Sequence, residues 1–173
     1  KIESLLPNLN GKETFLDIGC GHGGVCSELI NKGFNVSGIE INDKAFDSLK
    51  SKGFKTYNRD ITKPLNINYK FDIILILDVL EHLFDPLHLL NEAKNITKPN
   101  GYIIVTIPLY FDIIDRLKIL FTGSIISMDN LCYGKDIYLK FRSYNYDHIR
   151  FFRPKDIYEI GDNLDLFVDK IEF

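Results

Sequence analysis

The sequence predicts an α/β fold, a doubly wound, mainly parallel sheet with helices on both faces. Three observations predict it. The stretch Phe15-Leu16-Asp17-Ile18-Gly19-Cys20-Gly21-His22-Gly23-Gly24 runs from an apolar strand into a glycine turn, and helix-forming residues follow it. Phe71-Asp72-Ile73-Ile74-Leu75-Ile76-Leu77 is a near-continuous aliphatic run, as a strand covered on both faces requires. Strand-like and helix-like segments alternate at the spacing of βα units, which right-handed crossovers join into a parallel sheet.

Taken in order, residues 1–12 are a lead-in. Ile2, Leu5 and Leu6 fit one helical turn before Pro7, and Asn10-Gly11 is a turn signal. Strand one is expected over 14–18. A helix follows over about 23–32, stopped by Gly33. Strand two covers 34–40. Asn42 then caps a second helix, in which Ala45, Phe46 and Leu49 recur at helical spacing until Gly53. Residues 54–57 make a brief third strand and 71–77 the fourth. Asp85-Pro86 pairs an N-cap with a proline at the first helical position, and Leu87, Leu90, Ala93 and Lys94 carry that helix onward. Pro99-Asn100-Gly101 predicts a turn, and 102–107 strand five.

Regularity ends at Pro108. Residues 109–150 hold Tyr110, Phe111, Phe121, Tyr133, Tyr138, Phe141, Tyr144 and Tyr146 among charges, without clean period. A long irregular insertion at the ligand edge of a sheet is expected to be functional, here an aromatic lid. The same aromatic enrichment equally predicts the face of a homodimer. Pro154 then opens a short helix to about Gly161, and 166–173 alternates as a strand. The whole is read as a single domain, 1–173.

Composition bounds the function. The 173 residues are 45% hydrophobic and 26% charged, with a net charge of −3. That balance excludes general attraction to nucleic acid or to a membrane surface. No apolar run approaches the ~20 residues that span a bilayer. Cys20, Cys26 and Cys132 are an odd number without paired-ligand spacing, which predicts reduced thiols and a cytoplasmic protein.

The glycines fit two patterns at once. Gly19, Gly21 and Gly24 spell G-x-G-x-x-G, the dinucleotide pattern. Asp17 with Gly19, Gly21 and Gly23 spells D-x-G-x-G-x-G. A carboxylate at the strand end suits a ligand carrying positive charge, and sits badly beside a pyrophosphate. Further acids fall at the ends of the next strands: Glu40, Asp60 and Asp78. Ligands of open α/β sheets bind at that edge, so four acids there outweigh any one. Taken singly, Glu40 also fits an exposed terminal charge, and Asp60 a turn aspartate.

With these residues the chain resembles the class I S-adenosylmethionine (SAM) methyltransferases over about residues 10–108. The resemblance implies the Rossmann-like methyltransferase fold, SAM as cofactor and a small-molecule methyl acceptor. It implies a cofactor site made of Asp17, Gly19, Cys20, Gly21 and Gly23 around the turn, Glu40 on the ribose hydroxyls, Ile41 on the adenine face, Asp60 and Ile61 at the adenine amino group, and Asp78 by the methionine part. Asp78-Val79-Leu80-Glu81-His82-Leu83-Phe84-Asp85-Pro86 resembles a segment of ubiquinone-type O-methyltransferases. Asp147-His148-Ile149-Arg150-Phe151-Phe152 resembles one in a methionine-biosynthesis-like and glycan-modifying branch. Such proteins add a final antiparallel strand where this chain stops, which implies a truncation or an edge built differently.

The sulfonium already activates the methyl group, so transfer needs alignment and, for a hydroxyl or protonated amine, a base. His82 and His148 are the catalytic candidates; His82 also fits a cofactor-lining role, and His148 a structural one beside Arg150. If 78–82 is helical, Asp78, Glu81 and His82 share one face and could hold a divalent ion; the competing assignment keeps Asp78 in the cofactor site, and no metal is expected. Two rival functions remain at this point: a nicotinamide-dependent oxidoreductase, and a SAM-binding protein without catalysis.

Overall fold

The computed structural model describes residues 9–108, 116–117, 120–121 and 149–172. Five strands form one sheet in the order β3-β2-β1-β4-β5, every neighbouring pair parallel. They are β1 (Thr14–Ile18), β2 (Asn35–Ile39), β3 (Lys55–Tyr57), β4 (Phe71–Leu77) and β5 (Thr97–Thr106). The helices are α1 (Gly24–Asn31), α2 (Asp43–Ser51), α3 (Pro86–Ile96) and α4 (Pro154–Asn163). Chain order reverses between β1 and β4, and that gap is where an open parallel sheet receives its ligand.

The pleat sends alternate side chains to opposite faces, so each central strand supplies two cores. On one face Leu16, Ile18, Ile74 and Ile76 pack with Leu89, Leu90 and Ala93 of α3, and Ile157 and Ile160 of α4 close the layer. On the other, Phe15, Ile73, Leu75 and Val36 pack with Cys26 and Leu29 of α1 and Leu49 of α2. β1 is buried along its whole length, which fixes the frame on which the glycine turn sits.

Local chemistry sets the helix ends as expected. Asn42 accepts from the Ala45 amide at 3.1 Å, and Asp85 from the His88 amide at 3.1 Å ahead of Pro86. At the end of the sheet away from the glycine turn, Asp72 Oδ2 accepts from the Thr14 amide, the Thr14 hydroxyl and Lys98 Nζ, at 2.9, 2.7 and 2.8 Å. Burial opposes its charge, but these donors prevail and hold its pKa at about 2.

Two expectations change. Strand five begins at Thr97, directly after α3, rather than at Tyr102. Phe71 pairs with Thr97 and Ile73 with Tyr102, so 98–101 bulge out of the ladder, and Asn100 takes a positive φ of 63°. The predicted turn is thus a bulge within β5. Residues 166–172 are not a strand: Leu166 and Val168 are half-buried in alternation, but Lys170 is exposed and the half-buried position passes to Ile171. A groove of about 950 Å³ lies between this segment and β5, and an alternating pattern without a ladder partner does not make a strand. Residues 1–8, expected to hold a helical turn, and most of 109–150, expected to be a lid, lie outside the described residues.

Candidate active site

The site is built from the turn after β1. Gly19, Gly21 and Gly23 all take positive φ, 76°, 52° and 76°. At Gly23 the requirement is doubled: a Cβ there would lie 2.3 Å from Leu49 Cδ2, inside the buried α1–α2 contact. At Gly21 the same construction meets nothing within 4 Å, so the backbone there borders open space.

The turn is fastened to the end of β2. The Gly19 and Cys20 amides donate to the Ile39 carbonyl at 2.9 and 3.0 Å. Glu40, next along, accepts from the Gly21 amide at 2.8 Å with Oε2 and from the Asn42 amide at 2.7 Å with Oε1. One carboxylate therefore braces the glycine turn against the N-cap of α2. Ile41, beside it, is 56% exposed, an apolar side chain left facing solvent at the ligand edge.

Asp17 lies beneath the turn, 3% exposed, and accepts from the Cys26 thiol of α1 at 3.3 Å. Burial raises its pKa to about 6, with the thiol's hydrogen bond pulling the other way. The Cys26 thiol is itself pushed far up, by its hydrogen bond with Cys20, by burial and by the charge of Asp17. Cys20 and Cys26 are both free.

Asp60 sits three residues past β3 and serves its own turn. Its Oδ1 accepts from the Thr62 amide and hydroxyl at 3.0 and 2.6 Å, and Lys63 pairs with Oδ2 at 3.1 Å. The Thr62 hydroxyl, the Thr62 amide and Lys63 together hold its pKa at about 2. Ile61 is half-buried against the α3-side core.

Asp78 follows β4 in a left-handed conformation, φ 52°, and its Oδ1 accepts from the Thr106 hydroxyl at 3.0 Å. The helical face that would gather Asp78, Glu81 and His82 does not form. After Asp78 and Val79 there is only one 3₁₀ turn, Leu80–His82, and Glu81 is fully buried while Asp78 is exposed. Among the described residues no three His, Cys, Asp or Glu side chains converge as a metal site. The Glu81 carbonyl accepts from the Ile149 and Arg150 amides at 2.8 and 3.0 Å, and Arg150 donates to the Phe84 carbonyl at 2.6 Å. His82 is half-buried on this turn; His148 lies outside the described residues.

A family model described as "Methyltransferase domain" matches residues 1–171. The chain belongs to that methyltransferase family. It is 26% identical over 175 residues to the ubiquinone biosynthesis O-methyltransferase of Shewanella pealeana, covering 96% of this chain and 68% of that protein. The enzyme of the same name from Actinobacillus pleuropneumoniae is 32% identical over 127 residues, 66% of this chain and 51% of that one. In fold, a SAM-dependent methyltransferase from Archaeoglobus fulgidus superposes with a TM-score of 0.64 at 20% identity, covering 94% of this chain and 65% of that one. The methyltransferase family makes SAM the cofactor, and the open space beside Gly21 and the Glu40 carboxylate suit a ribose with its two hydroxyls.

Three contacts around these residues escaped sequence reasoning. Cys26 reaches Asp17 from nine positions away, Thr106 reaches Asp78 from 28 and Arg150 reaches Phe84 from 66. None leaves a periodic or motif signal; only the fold brings the partners together.

Proposed function

We propose that this methyltransferase moves the methyl group of SAM onto a hydroxyl of a small molecule, a quinol-type phenol being the first acceptor to try. The observation that carries the reading is the Glu40 brace, which runs from the end of β2 to the glycine turn after β1, the strand that borders the gap where the order of the sheet reverses. The named curated relatives are O-methyltransferases, which favours oxygen over nitrogen as the acceptor atom.

SAM supplies an activated methyl group on sulfur. Glu40 holds the ribose hydroxyls, Ile41 covers one adenine face, and Asp60 with Ile61 meets the adenine amino group. Asp17 and Asp78 offset the ammonium and sulfonium charges from either side of the β1–β4 gap. His148, which lies outside the described residues, would take the hydroxyl proton while the methyl carbon exchanges its bond to the sulfonium sulfur for one to the acceptor oxygen, S-adenosylhomocysteine being the leaving group. His82 lines the methionine side. Support for this end of the site is the anchoring of Ile149 and Arg150 on the Glu81 carbonyl. No described helix is long and apolar enough to cross a membrane.

The test is a panel of phenols, catechols and amines incubated with methyl-labelled SAM. Label is expected on the hydroxyl acceptors. Label on amines alone would replace oxygen by nitrogen as the acceptor. Tight SAM binding with no transfer to any acceptor would leave a binding protein without catalysis.

A further inference from the structure

Behind the glycine turn, two cysteine side chains meet over one missing Cβ. Gly38 of β2 pairs in register with Asp17 of β1. A Cβ on Gly38 would lie 2.5 Å from Cys20 Sγ and 3.7 Å from Cys26 Sγ, so both sulfurs occupy the space that glycine leaves. Cys26, 2% exposed, turns its thiol onto Asp17 Oδ2 at 3.3 Å. The hydrophobic core on this face includes Phe15 of β1, Val36 of β2, Ile73 and Leu75 of β4, Leu29 of α1 and Leu49 of α2. The ionisable groups in contact here are Asp17 with Cys26, and Cys26 with Cys20.

We propose that Cys26 is a positioning residue of the cofactor site, whose thiol hydrogen bond keeps the buried Asp17 carboxylate ionised when the cofactor's ammonium arrives. The proposal rests on the reading of Asp17 as a cofactor residue. A buried carboxylate without a donor takes up a proton, and a neutral acid offers an ammonium little. A lysine or arginine donor would solve this by pairing with Asp17 permanently, leaving less charge for the ligand. A thiol is a weak donor, small and apolar enough for a closed core. It steadies the carboxylate without neutralising it. The thiol stays protonated in this role, because Cys20, burial and the Asp17 charge all oppose its ionisation.

The experiment follows Asp17 directly. Carboxyl carbon NMR of the unliganded protein should give Asp17 a midpoint near 6. Cys26→Ala should move that midpoint up by about one pH unit, and Cys26→Ser, which keeps a donor, should return it to wild type or below. Affinity for S-adenosylhomocysteine should fall about fivefold in Cys26→Ala at pH 6 yet less than twofold at pH 7.5, where Asp17 is ionised in both proteins. An unmoved midpoint, or an equal loss of affinity at both pH values, overturns the proposal, since a purely structural thiol would weaken binding at every pH. Wild-type affinity in Asp17→Asn at every pH would overturn the reading of Asp17 itself, a separate result, because the NMR midpoints still report whether Cys26 acts on Asp17.

Discussion

Asp17→Asn should stabilise the unliganded protein at pH 7.5 by about 2–3 kcal/mol while weakening SAM binding at least tenfold, a magnitude of order 1.4 kcal/mol or more. The stability half follows from the raised pKa. Asp17 has a folded-state value of about 6 against an ordinary 3.8, because it is buried on the α1 face of the sheet. Between those values the folded chain holds a proton that the unfolded chain has released. Stability therefore falls as pH rises from about 4 to about 6, and the deficit is constant above that. An amide cannot ionise and escapes the penalty. The binding half follows from the same loss of charge. Urea unfolding of both proteins from pH 4 to 7.5 checks the first half. The difference between them should open from near zero at pH 4 to its full size above pH 6. Asp60 and Asp72, whose pKa values are depressed to about 2 from 3.8, act with the opposite sign below about pH 4, outside this range, and equally in both proteins. Equal stabilities at every pH would contradict the account.

Glu40→Ala should weaken S-adenosylhomocysteine binding by about 1–3 kcal/mol, or roughly 5- to 150-fold. Two losses combine. The ribose hydroxyls lose a charged acceptor, and the Gly21 and Asn42 amides lose the carboxylate that ties the turn to α2. Glu40→Gln keeps one acceptor oxygen and should fall between the two. Calorimetric titration of the three proteins is the check, and binding within twofold of wild type in the alanine variant would reduce Glu40 to a surface acid.

Much of this was legible in the sequence, for identifiable reasons. The strand over Thr14–Ile18 and the run over Phe71–Leu77 are bounded by burial on both faces, which writes itself as continuous apolar residues. Asn42 and Asp85 announce helix starts because capping is local chemistry. The failures share a cause as well. Residues 166–172 alternate like a strand, but pairing depends on a partner that alternation cannot supply. The bulge at 98–101 absorbs what sequence alone marks as a turn, because Thr97 finds Phe71 before the chain has rounded Asn100. For the site, the residue types at the strand ends were readable and their present partners were not. Asp60 is engaged by Thr62 and Lys63 within its own turn, and Glu40 already holds two backbone amides. The condition for a shared face of Asp78, Glu81 and His82, a helix through 78–82, is not met: Asp78 has a left-handed φ of 52° and only Leu80–His82 turn, as 3₁₀.

The central claim is that the cofactor lies across the β1–β4 gap with its ribose on Glu40. A crystal structure of the complex with S-adenosylhomocysteine tests it most directly. The account predicts both ribose hydroxyls within hydrogen-bond distance of the Glu40 carboxylate and the adenosine beside the Gly19–Gly21 backbone. Adenosine bound elsewhere, with Glu40 still engaged only by the Gly21 and Asn42 amides, would contradict it.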